Sequence, residues 1–336
     1  MAGVVRIGVL GAARIAPAAV IRPARSAPGA SVVAVAARDP DRARAFARRH
    51  GVPRVHAGYQ AVVEDPAVDA VYVPLPNALH GRWTLAAVAA GKHVLCEKPF
   101  TANAAEAAAV AQAAGASGLV VMEAFHYRYH PLAQRMHQII NSGELGELRH
   151  VQAHLCFPLP RFSDIRYNYR LAGGALMDAG CYTVHLTRLL GGGEPQVVAA
   201  RALLHGPTID RAIRARLRFA AGHTGTVHAS LWSAGGLLRI SARAVGSAGE
   251  LRVFNPVAPQ FGHRLAVRGA AGRRTERFPR RSSYAYQLDA FTRAIQHGTP
   301  FPTTAQDAVA TMTVIDAIYR AAGLPLRQPS DSMPTP

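Results

Sequence analysis

Lysine is nearly absent from this 336-residue chain: of 38 basic residues only Lys92 and Lys98 are lysines. Arginine keeps its proton near neutrality, whereas a desolvated lysine can have its pKa moved into a working range. Two lysines kept in an arginine-writing chain therefore stand out, although Lys92 has no evident role. Cysteine is equally scarce. Cys96, Cys156 and Cys181 form no CxxC pair and have no histidine at metal-ligand spacing, which argues against a disulfide framework or a zinc site and suits reduced thiols. No apolar run approaches the length that spans a bilayer, and the first strand begins at Val4 with no charged and then apolar leader before it. The expectation is a soluble, cytoplasmic protein with no membrane partner. Acidic residues number only 20, which leaves a net charge of +18. That excess invites a nucleic-acid partner, but the arginines are spread over both halves, with few interleaved aromatics and no helix-turn-helix or zinc-finger pattern. The cluster from Arg264 to Arg281 is the best candidate patch, and a solvated basic surface or steering of an anionic substrate accounts for it without specific nucleic-acid binding.

What is present is enough apolar residue, 49% of the chain, for two sizeable cores. Strands are expected at 4–10, 31–37, 70–74, around Val94 and at 118–123, with helices over 42–50 and from His80 to Ala90. Strands alternating with helices of this length predict a doubly wound, mostly parallel sheet. After about residue 125 the pattern changes. Longer strands at 149–157, 196–204, 212–219, 224–232, 237–245 and 250–254, with a hairpin at Ala221-Gly222, predict a largely antiparallel sheet. Helices are expected at 131–142, 174–190, 284–297 and 304–322. The fold class is thus α/β: a dinucleotide-binding domain over 1–125, an α+β domain with a large, open, mostly antiparallel sheet over 126–324, and a proline-bearing loose tail over 325–336.

Four places carry chemistry. The first strand runs into Gly11-Ala12-Ala13-Arg14-Ile15 and a helix, a strand–turn–helix whose backbone N–H groups and helix dipole suit a pyrophosphate. The usual fingerprint is G-x-G-x-x-G/A; Ala13 takes the place of its second glycine, and an ordinary strand–helix turn is the alternative. At the end of the second strand Arg38 suits a 2′-phosphate, favouring NADP, while the neighbouring Asp39 leaves NAD open and Asp39 or Asp41 can cap the next helix. The third place is Val94 to Phe100, a buried strand delivering Glu97 and Lys98 to its carboxyl edge, either as a structural strand end or as a site with a catalytic lysine. A separate constellation opens on Gly173-Gly174 and spaces Asp178, Tyr182 and His185 at i, i+4 and i+7, so an acid, a phenol and an imidazole share one helical stripe facing water or a site. His126 and His130 are four apart, but their neighbours point to packing rather than a metal.

Taken together, a strand ending Gly-x-x-x-Ile-Ala, a Pro-Asn-x-x-His segment, Glu-Lys-Pro, and Gly-Gly-x-Leu-x-Asp-x-Gly-x-Tyr, in that order over nearly the whole chain, resemble the Gfo/Idh/MocA oxidoreductases. The resemblance implies a catalytic Lys98, an acid at Asp178 and, at Tyr182, the residue typical of the branch containing glucose–fructose oxidoreductase, NADP-dependent xylose dehydrogenases, dimeric dihydrodiol dehydrogenases and sugar ketoreductases. His185 stands where Asn or Asp is common and could bind a second hydroxyl. Arg14 and Arg38 would contact cofactor phosphates, and Pro74, Leu75, Asn77, His80 and Glu97 would line the nicotinamide and ribose. Arg166 and Arg170 could reach cofactor or substrate, and Phe157, Phe162, Tyr167 and Trp232 could shape the pocket. The implied reaction is hydride transfer between NADP and a hydroxyl or carbonyl carbon of a sugar, polyol or cyclic diol, in a homodimer or homotetramer built through the second sheet. Two other readings are a redox-cycling glycoside hydrolase holding NAD and a non-enzymatic NADP-binding regulatory protein. The intact Lys98, Asp178 and Tyr182 set weighs against the latter.

Overall fold

The computed structural model describes residues 3–232, 238–270 and 272–330. In chain order the first half forms β1 (Val5–Leu10), α1 (Arg22–Ser26), β2 (Ala30–Ala36), α2 (Pro40–His50), β3 (Arg54–His56), α3 (Tyr59–Val63) and β4 (Ala70–Val73). It continues through α4 (His80–Ala89), β5 (His93–Cys96), α5 (Ala104–Ser117) and β6 (Val121–Glu123). Then follow α6 (Pro131–Asn141), β7 (Leu148–Cys156), α7 (Cys181–Gly191), β8 (Gln196–His205), β9 (Ile209–Arg218) and β10 (Thr224–Ser230). The chain closes with β11 (Arg239–Gly246), β12 (Glu250–Phe254), β13 (Arg264–Gly269), β14 (Gly272–Glu276), α8 (Ser283–His297) and α9 (Ala305–Ala321). Leu237, where the alternation pattern would begin β11, lies outside the described residues, as do 331–336.

The first six strands form one parallel sheet in the order β3-β2-β1-β4-β5-β6. Its central strands are apolar on both faces, as helices covering both sides require: Ile7, Val9, Val71, Val73, Val94 and Leu95 are all buried. The edge strand β3 adds to the expected set, because Arg-Val-His is too short and too polar to stand out in the sequence. Helix ends follow local chemistry. Asp39 caps α2 by accepting the amides of Asp41 and Arg42, with Pro40 at the first turn and Gly51 left-handed at the end. Lys92 proves to be structural. Its ammonium donates to the carbonyls of Asp65 (2.9 Å) and Val68 (2.7 Å), pinning the loop before β4.

The second sheet has eight strands, β14-β13-β12-β11-β7-β10-β9-β8, antiparallel throughout except for the parallel pair β7–β10. Alternation sorts its faces. Ala153, Ala215, Leu217, Val227, Ala244, Leu251 and Val267 are buried on one side, where α7 packs on β7 and β10. The other side carries His154, Arg214, His228 and Arg239, with Arg201 directly opposite Arg214 and Arg239 directly opposite Cys156. The Arg264–Arg281 stretch is not a loose basic patch: most of it is the β13–β14 hairpin, in which Leu265 and Val267 are buried while Arg274 pairs with Glu144 and Glu276.

The chain divides into two compact units, Met1–His126 with Ser282–Val309 and Pro329–Pro336, and Tyr127–Arg281 with Ala310–Gln328. The segment around Arg327, expected as loose tail, is tied down: Arg327 has no exposed surface and bonds to Asp210 and Gly173. A polar side chain reaching distant partners cannot be read from local composition.

Burial also sets protonation. His80 is 1% exposed, with its ring nitrogens 2.7 Å from the carbonyls of Pro99 and Leu75, and burial lowers its pKa to about 4. A folded-state value below the unfolded one near 6.5 gives stability that is complete above about pH 6.5 and lost as pH falls toward 4. We expect lowering the pH from about 7 to about 5 to cost roughly 2 kcal/mol through this residue. Denaturant unfolding of the protein and of His80→Gln at both pH values checks this; equal pH slopes in the two proteins would contradict it.

Candidate active site

In the first unit the turn after β1 bends at Gly11, whose φ of +109° and Leu75 neighbour, 3.2 Å from an added Cβ, favour glycine. The Gly11 amide donates to Ala36 O, but among the described residues the amides of Ala12 and Ala13 donate to no protein acceptor. The chain then enters a π-turn at Pro17–Ile21 that leads into α1. Two unpartnered, partly exposed amides in front of a helix start fit the oxygens of a pyrophosphate, even with Ala13 in place of the second glycine.

Beside this turn, at the end of β2, Arg38 is exposed, and the Asp39 carboxylate is engaged by the amides of α2. Arg42, in the first turn of α2, reaches across to the Ala12 carbonyl (3.3 Å). Tyr59 bonds the Arg38 backbone, and burial raises its phenol pKa. Sequence spacing does not single out Arg42, because its approach to Ala12 depends on the parallel pairing of β1 and β2. The basic residues following an Asp cap are the available signal.

At the carboxyl edge of β4 and β5, Tyr72 donates to Glu97 Oε1 (2.7 Å), and the Lys98 amide lies 3.3 Å from Glu97 Oε2. Lys98 is half-buried, and its charge adds to the lowering of the His80 pKa. Pro74, Leu75 and Asn77 come from the loop after β4 that His80 ties to Pro99. His80 itself is enclosed with both ring nitrogens against carbonyls, so it holds these loops and offers no face to a nicotinamide. Buried Glu123 accepts the Phe100 amide (2.9 Å). His126 bonds Ser283 (2.8 Å) and packs against Tyr284, whose phenol pKa is raised by burial and by Glu97. Ser283 and Tyr284 escape sequence reading, since they arrive here from α8, far along the chain.

In the second unit the helix expected over 174–190 forms with a modification: a π-turn at Leu176–Gly180 precedes α7. Such turns recur at functional sites because they change which side chains share a face. Asp178 pairs with Arg166 (2.8 Å), which also holds Asp164 (3.1 Å), and Asp178 raises the Arg166 pKa. Tyr182 is buried, its ring 6.0 Å from that of Tyr127, and the Tyr127 hydroxyl makes a short hydrogen bond to His185 Nδ1. His185 therefore anchors through Tyr127, a residue that no spacing rule flags. Arg170 is exposed. Tyr167 packs with Ala175, Ile209 and Leu231, with Phe157 against the same cluster, while exposed Phe162 stacks on His205. Trp232 is half-buried. His130 bonds Pro279 O and the Leu132 amide.

Comparison with known proteins supplies the context. D-xylose 1-dehydrogenase (NADP(+)) 2 of Haloferax volcanii is 37% identical over 94% of this chain and 96% of its own length. The dTDP-3,4-didehydro-2,6-dideoxy-alpha-D-glucose 3-reductase of Streptomyces violaceoruber is 34% identical over 95% of this chain and 96% of its own. Among solved structures, a 3-ketoreductase from Actinomadura kijaniata in complex with NADP and TDP-benzene matches with a TM-score of 0.86 at 28% identity, covering 95% of this chain and 98% of that one. Residues 5–125 match the model of an oxidoreductase family with an NAD-binding Rossmann fold, and residues 133–252 match the family's C-terminal domain. With both halves matched in order, the chain belongs to the GFO/IDH/MocA oxidoreductases.

Proposed function

We propose that this protein is an NADP-dependent oxidoreductase that interconverts a hydroxyl and a carbonyl on a sugar, a polyol or a related cyclic diol. The observation that carries the reading is the carboxyl edge of the first sheet. Unpartnered Ala12 and Ala13 amides stand beside Arg38 and Arg42, the Asp39 carboxylate is consumed as a helix cap, and Glu97 and Lys98 emerge two strands away. Relatives with NADP in their names or complexes support the coenzyme, and the named sugar reductases and dehydrogenases support the substrate class.

Bound NADP would supply the hydride donor or acceptor. Ala12, Ala13 and Arg14 hold its pyrophosphate, and Arg38 and Arg42 its 2′-phosphate, where a guanidinium fork suits the extra charge. Pro74, Leu75, Asn77 and Glu97 line the nicotinamide side. Lys98 holds the reacting oxygen of the substrate. Tyr182 gives that oxygen a proton in reduction and removes it in oxidation. Asp178, held by Arg166, is the acid of the set, and His185, anchored by Tyr127, binds a second hydroxyl. A cytoplasmic setting suits the buried thiols of Cys96, Cys156 and Cys181.

Self-association into a homodimer or homotetramer through the open face of the second sheet is part of the same reading. That face offers a shallow cavity of about 840 Å³ and the exposed Leu203 and Phe254 among its arginines. Arg201 opposite Arg214 opposes close approach, so salt should favour assembly. Sedimentation at low and high ionic strength should show more oligomer at high salt; a monomer under both conditions would contradict it.

Tyr182→Phe and Lys98→Met should each lower turnover by about 10² to 10⁴ while NADPH still binds, as judged by nicotinamide fluorescence. Near-normal rates in both variants would refute the assignment. Arg38→Ala with Arg42→Ala should weaken NADPH binding by roughly 10- to 100-fold and leave NADH little changed, on the scale of charge-assisted contacts. Equal losses for the two coenzymes would move the 2′-phosphate site elsewhere.

A further inference from the structure

Asp210 and Arg327 are both 0% exposed and pair at 2.7 Å, an arrangement whose desolvation cost is large and whose contribution to stability alone is a weak reason to keep it. Their remaining bonds converge on one place. Asp210 Oδ2 accepts the Leu176 amide (2.6 Å), so an anion sits at the start of the π-turn that carries Asp178 and leads to Tyr182. The Arg327 Nε donates to Gly173 O (2.6 Å), immediately before that turn. Tyr319 donates to Asp210 Oδ1 (3.0 Å), and the guanidinium lies over its ring at 4.3 Å and over Tyr169 at 5.0 Å.

The fit leaves no slack. A Cβ on Gly174, whose φ is +130°, would fall 2.2 Å from Asp210 Oδ1 and 2.8 Å from Arg327 Nη2, and Ala172 is held left-handed at φ +55° just before it. Gly174 O in turn accepts the Asp178 amide (3.0 Å). Asp178 is thus one hydrogen bond from the clamped glycine, and Tyr182 is four residues further along the same helical run.

We propose that the buried Asp210–Arg327 pair, with Tyr319, is a positioning device that fixes the axial and rotational setting of the Gly173–Tyr182 helix start. It touches neither substrate nor coenzyme and acts through Asp178 and Tyr182, so the inference rests on the roles given to those two residues above. A single ion pair made inside a helix-start turn converts an otherwise adjustable glycine hinge into a fixed one. A misplacement of catalytic groups of about 1 Å can cost up to about 10²-fold in rate.

The test compares Arg327→Gln with Arg327→Lys, measured well below each melting temperature, with Tyr182→Phe alongside. Arg327→Gln should lower kcat by roughly 10- to 100-fold and displace the pH profile of kcat. Its NADPH affinity, read by fluorescence, should stay near wild type, because the residues assigned to the coenzyme lie in the other unit. Arg327→Lys restores the charge but not the fork, and should recover part of the loss. A folded Arg327→Gln with the wild-type kcat and pH profile overturns the proposal, as does a rate loss in both variants that tracks melting temperature and leaves the pH profile fixed. Should Arg327→Gln fail to fold, Tyr319→Phe, which removes one hydrogen bond from Asp210, decides: a lowered kcat with a displaced profile supports the device and an unchanged one overturns it. Wild-type turnover in Tyr182→Phe would sink the reading of that phenol and this inference together. A silent Tyr182→Phe beside an unaffected Arg327→Gln sinks only the inference.

Discussion

Parallel backbone pairing of β1, β4 and β5 is the constraint on which the coenzyme end depends. Gly8 lies opposite Val71 and Val71 opposite Val94, and the β4–β5 register runs on to Val73 opposite Cys96. The residues that follow each strand, Gly11, Pro74 with Leu75, and Glu97 with Lys98, therefore leave the sheet at one edge. A strand slipped by one residue would exchange its faces, and the buried Ile7, Val9, Val71 and Val94 would no longer stack against covering helices. The chemistry is thus held by apolar packing some residues away from it.

The same edge shows why the two lysines differ. Lys92 meets two carbonyls with its ammonium and closes a loop, a structural use of a compact three-proton donor. Lys98 follows a carboxylate already shared by Tyr72 and its own amide, so it sits in a field of fixed polar groups. Their surroundings separate a loop clasp from a residue at the sheet edge, to which we assign the substrate oxygen as a proposal.

Much of this was legible in the sequence because it is local. Period-two and apolar runs mark the strands of both sheets, Asp39-Pro40 marks the start of α2, and Gly173-Gly174 marks the approach to the helix bearing Asp178 and Tyr182. What escapes depends on contacts between distant residues. β3 is three residues long and polar, and β13 and β14 are masked by their arginines. Arg42 meets Ala12, Tyr127 meets His185, and Ser283 meets His126 only after the chain has folded. The family resemblance puts His80 beside the nicotinamide, yet its ring, at the start of α4, is buried between two carbonyls and serves as a clasp. Arg327 is hidden in a stretch whose prolines suggest looseness, although a buried carboxylate receives it.

The account stands on direct transfer of a hydride between coenzyme and substrate carbon, with the proton handled by this chain. Incubation with NADPH deuterated at C4 and a panel of keto-sugars, followed by mass analysis of the products, reads that event itself. The account predicts one deuterium on the carbon that becomes the alcohol, with stoichiometric NADP formed. Product that carries no deuterium, or turnover with no net oxidation of NADPH, would contradict it.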